Sequence, residues 1–258
     1  MRKETLMRKS FGVILILDLT LIFLSFTSNC AAQEVILRIY AAAGLTKPMS
    51  EVIKKFEAEH YITVQPNFGP SGGLYAQIKQ GQPCDLFYAA DWIYIEKLYK
   101  EGVLVEVHRF LEDKVALIVS KTGETKVRNF QDLTKKGVTL AVADRGAPVG
   151  VYAERGLKKL GTWEAIVAGG NLKARPSTVN AVALIVKEDH VDAGMVYSSM
   201  AKQFKIRIVE VLSHELTGEI VFGVGITTKG NREWSRKFHE FAKSHINEFV
   251  KWGWIPCE

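Results

Sequence analysis

In this 258-residue chain, the segment whose spacing points most directly to chemistry is Gly69-Pro70-Ser71-Gly72-Gly73. It matches G-x-S-x-G, in which a serine on a tight strand-to-helix turn acts as a nucleophile. That chemistry also needs a histidine, a carboxylate and backbone donors for an oxyanion. The six histidines (His60, His108, His190, His214, His239 and His245) show no partner spacing, and no HGG-like loop lies upstream. A secreted serine hydrolase using Ser71 is one reading. The other makes the same turn an anion site. Glycines after Ser71 let backbone N–H groups approach a ligand closely. A helix N-terminus adds free N–H donors at the positive end of its dipole.

Three more segments repeat this pattern. Ala43-Gly44-Leu45-Thr46 joins a strand to a helix, as does Gly146-Ala147-Pro148-Val149-Gly150, and Ser177-Thr178-Val179 opens another helix. Four such starts, two per half of the molecule, can converge on one small anion; alternatively, each is the ordinary cap of a strand–helix unit. Gly223-Val224-Gly225 lacks the following G-x-x-G helix start, which argues against a dinucleotide. No Cys/His cluster offers a metal site, and no cofactor is expected.

The elements that must position these turns follow from periodicity. Strands are expected at Val35–Tyr40, Ile62–Phe68, Asp85–Tyr88, Val115–Val119, Val138–Val142, Gly194–Tyr197, Ile206–Val211 and Ile220–Thr227. Between them, Met49, Val52, Ile53 and Phe56 recur at helical spacing, with Thr46 as cap and Pro48 in the first turn. Further helices are expected over Leu74–Gln80, through Trp92, Ile95, Leu98 and Tyr99, over Val149–Leu160 with Gly161 closing it, and over Val179–Lys187. A last amphipathic helix carries Trp234, Phe238, Phe241, His245 and Phe249. Alternation with short connections means α/β architecture, a mainly parallel sheet in each lobe flanked by helices. Extended segments near Leu111–Lys121 and Glu215–Thr227 would cross between lobes. Lobe I then comprises 33–112 and 217–258, and lobe II comprises 113–216.

Arg2, Lys3, Arg8 and Lys9 precede an apolar run from Phe11 to Phe26, then the small stretch Thr27 to Ala32. This is the order of a secretory signal, so 1–32 reads as a signal peptide or membrane anchor. Cleavage is expected after Ala32, with a lipidated Cys30 as the alternative. The chain is thus exported, periplasmic or at the cell surface. Formal charge falls from +6 to +4 when Arg2, Lys3, Arg8, Lys9, Glu4 and Asp18 are removed. Basic and acidic residues interleave without a run of five like charges, which argues against nucleic acid. Cys84 and Cys257 remain, either as one disulfide or as two thiols.

Several motifs resemble one family. They are Ala41-Ala42-Ala43-Gly44-Leu45-Thr46, Gly69 to Leu74 with Gln77-Ile78, and Asp85-Leu86-Phe87-Tyr88-Ala89-Ala90-Asp91. The match continues through Pro148 to Ala153, Lys159 to Trp163, and Gly194-Met195-Val196-Tyr197. In this order they resemble the periplasmic molybdate-binding proteins of ABC importers, across the whole chain after the N-terminal segment. The resemblance implies a two-lobe, hinge-bending type II periplasmic-binding-protein fold and no catalysis. It implies a monomer that takes a molybdate- or tungstate-type oxyanion and delivers it to an ABC permease. Within that family, Ser71 matches a donor serine, Val149 and Val179 match two main-chain donors, and Tyr197 matches a phenol donor. Gly44 stands where the family carries a second serine, so one hydroxyl is missing and another small anion becomes an alternative ligand.

Overall fold

The computed structural model describes residues 35–257. The signal or anchor reading, the cleavage after Ala32 and the lipidated Cys30 lie outside the described residues. The strands are β1 (Ile36–Ala42), β2 (Thr63–Gly69), β3 (Leu86–Ala89), β4 (Leu104–Glu112), β5 (Val115–Val119), β6 (Leu140–Val142), β7 (Leu172–Ala174), β8 (Ala193–Tyr197), β9 (Arg207–Val211), β10 (Val221–Thr227) and β11 (Ile255–Pro256). The helices are α1 (Thr46–His60), α2 (Ser71–Lys79), α3 (Trp92–Lys100), α4 (Pro148–Lys159), α5 (Trp163–Ala168), α6 (Val179–Lys187), α7 (Ser198–Phe204), α8 (His214–Thr217), α9 (Arg232–Ser244) and α10 (Asn247–Val250).

Two sheets result. The first runs β11-β4-β10-β3-β1-β2 and the second β7-β6-β8-β5-β9. Strands β3, β5, β8 and β10 are buried along their whole length, as expected where helices cover both faces. Helix α1 turns Pro48, Met49, Val52, Ile53 and Phe56 inward. Phe56 meets Phe238 of α9 edge-on at 5.0 Å, which joins these two helices through aromatic packing.

The sheets are mixed, not mainly parallel. Parallel pairing covers β1 with β2 and β3, and β6 with β7 and β8. Strands β10, β4 and β11, and in the second sheet β5 and β9, pair antiparallel. The cause is the crossover: β4 leaves the first sheet at Glu112 and β5 enters the second at Val115, while β10 returns. The two crossing segments touch, the amide of Asp113 donating to the Ile220 carbonyl at 3.2 Å. The long C-terminal helix expected through Phe249 ends at Ser244 and resumes as α10. After that break Phe249 packs edge-on against Phe110 at 5.1 Å.

Cys84 and Cys257 are free thiols. The Cys84 carbonyl accepts from Thr227, whose partner on β4 is Leu104, whereas the Cys257 amide donates to Phe110. Six residues of extended strand, roughly 20 Å, therefore separate their surroundings, well beyond disulfide reach.

Candidate anion-binding site

All five residues singled out in the sequence line one small cavity: Gly44, Ser71, Val149, Val179 and Tyr197. Each reaches it from the carboxyl end of a strand, where α/β sheets place their ligands. A single 3-10 turn, Ala43–Leu45, follows β1 and carries Gly44. Pro70 separates β2 from Ser71, the first residue of α2. These two come from the first sheet. From the second, β6 leads to α4, whose first residue is Pro148. Proline has no N–H, so Val149 offers the first amide of that helix. Thr178 caps α6 by accepting from the Ala181 amide at 3.2 Å, which leaves the Val179 amide unspent. The amides of Gly44, Ser71, Val149 and Val179 find no acceptor among the described residues. Four open N–H groups at helix starts thus surround one cavity.

Two hydroxyls complete the lining. Ser71 is 1% exposed and its Oγ accepts from the Ala90 amide at 2.9 Å. A hydroxyl carries one donor and two acceptor positions, so the Ser71 proton stays available. Tyr197, also buried, donates to the Ala90 carbonyl at 3.3 Å. Burial raises the Tyr197 phenol well above its ordinary value, so it enters as a neutral donor. Arg145, beside the cavity loop at Gly146, is engaged by Glu154, whose carboxyl that guanidinium holds down at about 2. Asp91, next to Ala90, caps α3 through the Ile93 amide, and burial raises its carboxyl above the usual range. Neither Arg145 nor Asp91 lines the cavity, whose wall carries no acidic or basic side chain and several N–H and O–H donors.

Gly44 is not there for its conformation, because its φ lies outside the left-handed region. A Cβ built on it meets Met200 Cε at 3.6 Å, Val179 Cγ1 at 3.7 Å and Trp254 Cζ2 at 3.9 Å, all ordinary contacts. Beside the cavity, one residue on from the lining residue Ser71 and one before Ala147, the Gly72 amide donates to the Gly146 carbonyl at 3.1 Å, linking the start of α2 to the loop ahead of α4. Sequence reading missed this contact and the central role of Ala90. Neither residue has a side chain that signals it.

The hydrolase reading of Ser71 fails on this geometry. No histidine or carboxylate lines the cavity, so no general base is placed to take the Ser71 proton.

Comparison with known proteins agrees. Residues 37–254 match the family model for bacterial extracellular solute-binding proteins. A Bacillus subtilis protein described as an ABC transporter substrate-binding lipoprotein is 30% identical, over 88% of this chain and 89% of its own length. The Escherichia coli molybdate-binding protein ModA is 26% identical, over 83% and 86%. The solved Azotobacter vinelandii periplasmic molybdate-binding protein superposes with a TM-score of 0.76 at 19% identity, covering 86% of this chain and all of that one, a likeness of fold. With a model spanning nearly all the described residues and a two-sheet fold built around one donor-lined cavity, this chain belongs to the bacterial extracellular solute-binding proteins, a family of non-catalytic binders.

Proposed function

We propose that this protein captures a fully ionised tetrahedral oxyanion, of the molybdate or tungstate type, and hands it to an ABC permease. The convergence of four unpaired amides with the Ser71 and Tyr197 hydroxyls carries the reading. Such a lining has protons to give and little to accept one. An oxyanion without a proton suits it, whereas hydrogenphosphate brings an O–H that needs an acceptor. Neutral, preoriented donors also spare the cost of burying a compensating cation.

In this reading lobe I is 33–112 with 217–258, lobe II is 113–216, and closure brings each lobe's donors onto one anion. The relatives' names support the molybdate ligand and the transporter partner. They also support export, with attachment through the N-terminal segment or Cys30. The protein acts as a monomer, without cofactor or metal ligands of its own. Gly44 favours a second reading, the same fold with another small anion, since it withholds a hydroxyl.

Calorimetry on residues 33–258 with molybdate, tungstate, sulfate, phosphate and a carboxylate tests both. Tight binding of molybdate and tungstate with no phosphate binding is expected. Preference for phosphate or the carboxylate would overturn the fully ionised, molybdate-type assignment and favour the second reading.

A further inference from the structure

Lys47 breaks a helix rule. It is the second residue of α1, whose first turn holds no acidic residue, and a cation there opposes the helix dipole. Its charge is compensated elsewhere. Lys47 Nζ donates to the Gln203 carbonyl at 3.0 Å, and it lies 5.2 Å from the Phe204 ring and 5.4 Å from the Trp252 ring. Gln203 and Phe204 end α7, so Lys47 caps the negative end of a helix packed on the second sheet. The side chain of the same glutamine reaches back. Gln203 is 5% exposed, and its Nε2 donates to the Gly44 carbonyl at 3.2 Å.

One residue of α7 is thus hydrogen-bonded twice to the end of β1's connection and the start of α1, once at Gly44 in the cavity wall and once at Lys47 in the first turn of the helix. Gly44 has no side chain to anchor its turn, and the Gln203 amide supplies an anchor from the other sheet. Neither contact uses a cavity donor: the Gly44 bond goes to its carbonyl and leaves its N–H free.

We propose that Gln203, with Lys47, clamps the two lobes together and positions the Gly44 turn for the anion. Gln203 is a positioning residue that acts through Gly44. The affinity part of this proposal rests on the oxyanion reading above; the clamp itself does not.

Gln203→Met keeps the volume and removes the amide, Lys47→Met keeps the stem and removes the charge, and Lys47→Arg keeps the charge. Small-angle scattering of the ligand-free full chain tests the clamp whatever the anion. Gln203→Met and Lys47→Met should give a larger radius of gyration than wild type, with Lys47→Arg close to wild type. Equal radii in all four proteins overturn the clamp. Molybdate calorimetry on the wild type separately decides the oxyanion reading. Where the wild type binds, both Met variants should bind about 3- to 10-fold more weakly, the effect of one lost hydrogen bond. A lowered melting temperature with unchanged radius and unchanged affinity would mean a merely structural contact and overturn the proposal.

Discussion

Ser71 and Tyr197 hold the two ends of a single residue: Ser71 Oγ accepts from the Ala90 amide at 2.9 Å, and Tyr197 donates to the Ala90 carbonyl at 3.3 Å. Ser71 follows a strand of the first sheet and Tyr197 ends a strand of the second. Ala90 therefore ties the two hydroxyls into one unit, but with different consequences. Ser71 keeps its proton for a ligand. Tyr197 must turn its proton away from Ala90 to donate to an anion.

Ser71→Ala and Tyr197→Phe are each expected to weaken molybdate binding about 10- to 100-fold, near the cost of a hydrogen bond to a charged group. Ser71→Ala also leaves the Ala90 amide without its acceptor, so its melting temperature should fall as well. Calorimetry with paired melting curves checks both, and wild-type affinity in both variants would remove these side chains from the site.

Gly44→Ser should tighten molybdate binding, by up to ~1.5–3 kcal/mol for a well-aimed donor. The backbone accepts a side chain there, and the new Cβ finds only ordinary contacts. Weaker molybdate binding in titrations of this variant would point to a pocket shaped for a different anion.

Gly72→Ala adds a Cβ that would sit 2.8 Å from the Gly146 carbonyl oxygen and 3.1 Å from the Tyr94 hydroxyl. Tyrosine can swing aside; a backbone carbonyl cannot without moving its loop. Molybdate affinity should drop about tenfold, the size of one lost hydrogen bond between the two turns, with little change in the ligand-free melting temperature. An unaltered dissociation constant would show that the Gly72–Gly146 contact does not support closure.

Asp113 gives a pH signature. It is 2% exposed at the crossover, and burial pushes its carboxyl up to about 7. One carboxyl oxygen accepts from the Lys114 amide at 2.7 Å, and the other has no hydrogen-bond partner among the described residues. The folded protein therefore holds a proton there that the unfolded chain releases near 3.8. Between about pH 4 and 7 the native state binds more protons, so this group's contribution to stability falls as pH rises, by up to about 1.4 kcal/mol per pH unit, and levels off above 7. Asp113→Asn, which resembles the protonated acid, should gain in melting temperature over wild type as pH goes from 5 to 8. A constant difference across that range contradicts the assignment.

Much of this was legible in the sequence, because it depends on neighbours along the chain. Apolar spacing placed α6 at Val179–Lys187, and the buried run Val115–Val119 marked β5. Pro148, Thr178 and the glycines around Ser71 marked the helix starts, since capping is a local matter of which N–H groups lack partners. Capping marked the turns, and the resemblance of their motifs to the molybdate-binding family singled out Gly44, Ser71, Val149, Val179 and Tyr197 among them. What escaped depends on partners far away in sequence. Strand β4, Leu104–Glu112, carries Glu106, His108 and Arg109 on a largely open stretch and shows little apolar periodicity. Its partners β10 and β11 lie more than a hundred residues on, and they make it a strand. Antiparallel pairing at the crossovers, the distance between Cys84 and Cys257, and the meeting of Ser71 with Tyr197 at Ala90 arise in the same way. Local sequence sets which donors each turn can expose; only the tertiary pairing of two sheets sets which turns face one another, because hydrogen bonds and packing between distant segments leave no period in the chain.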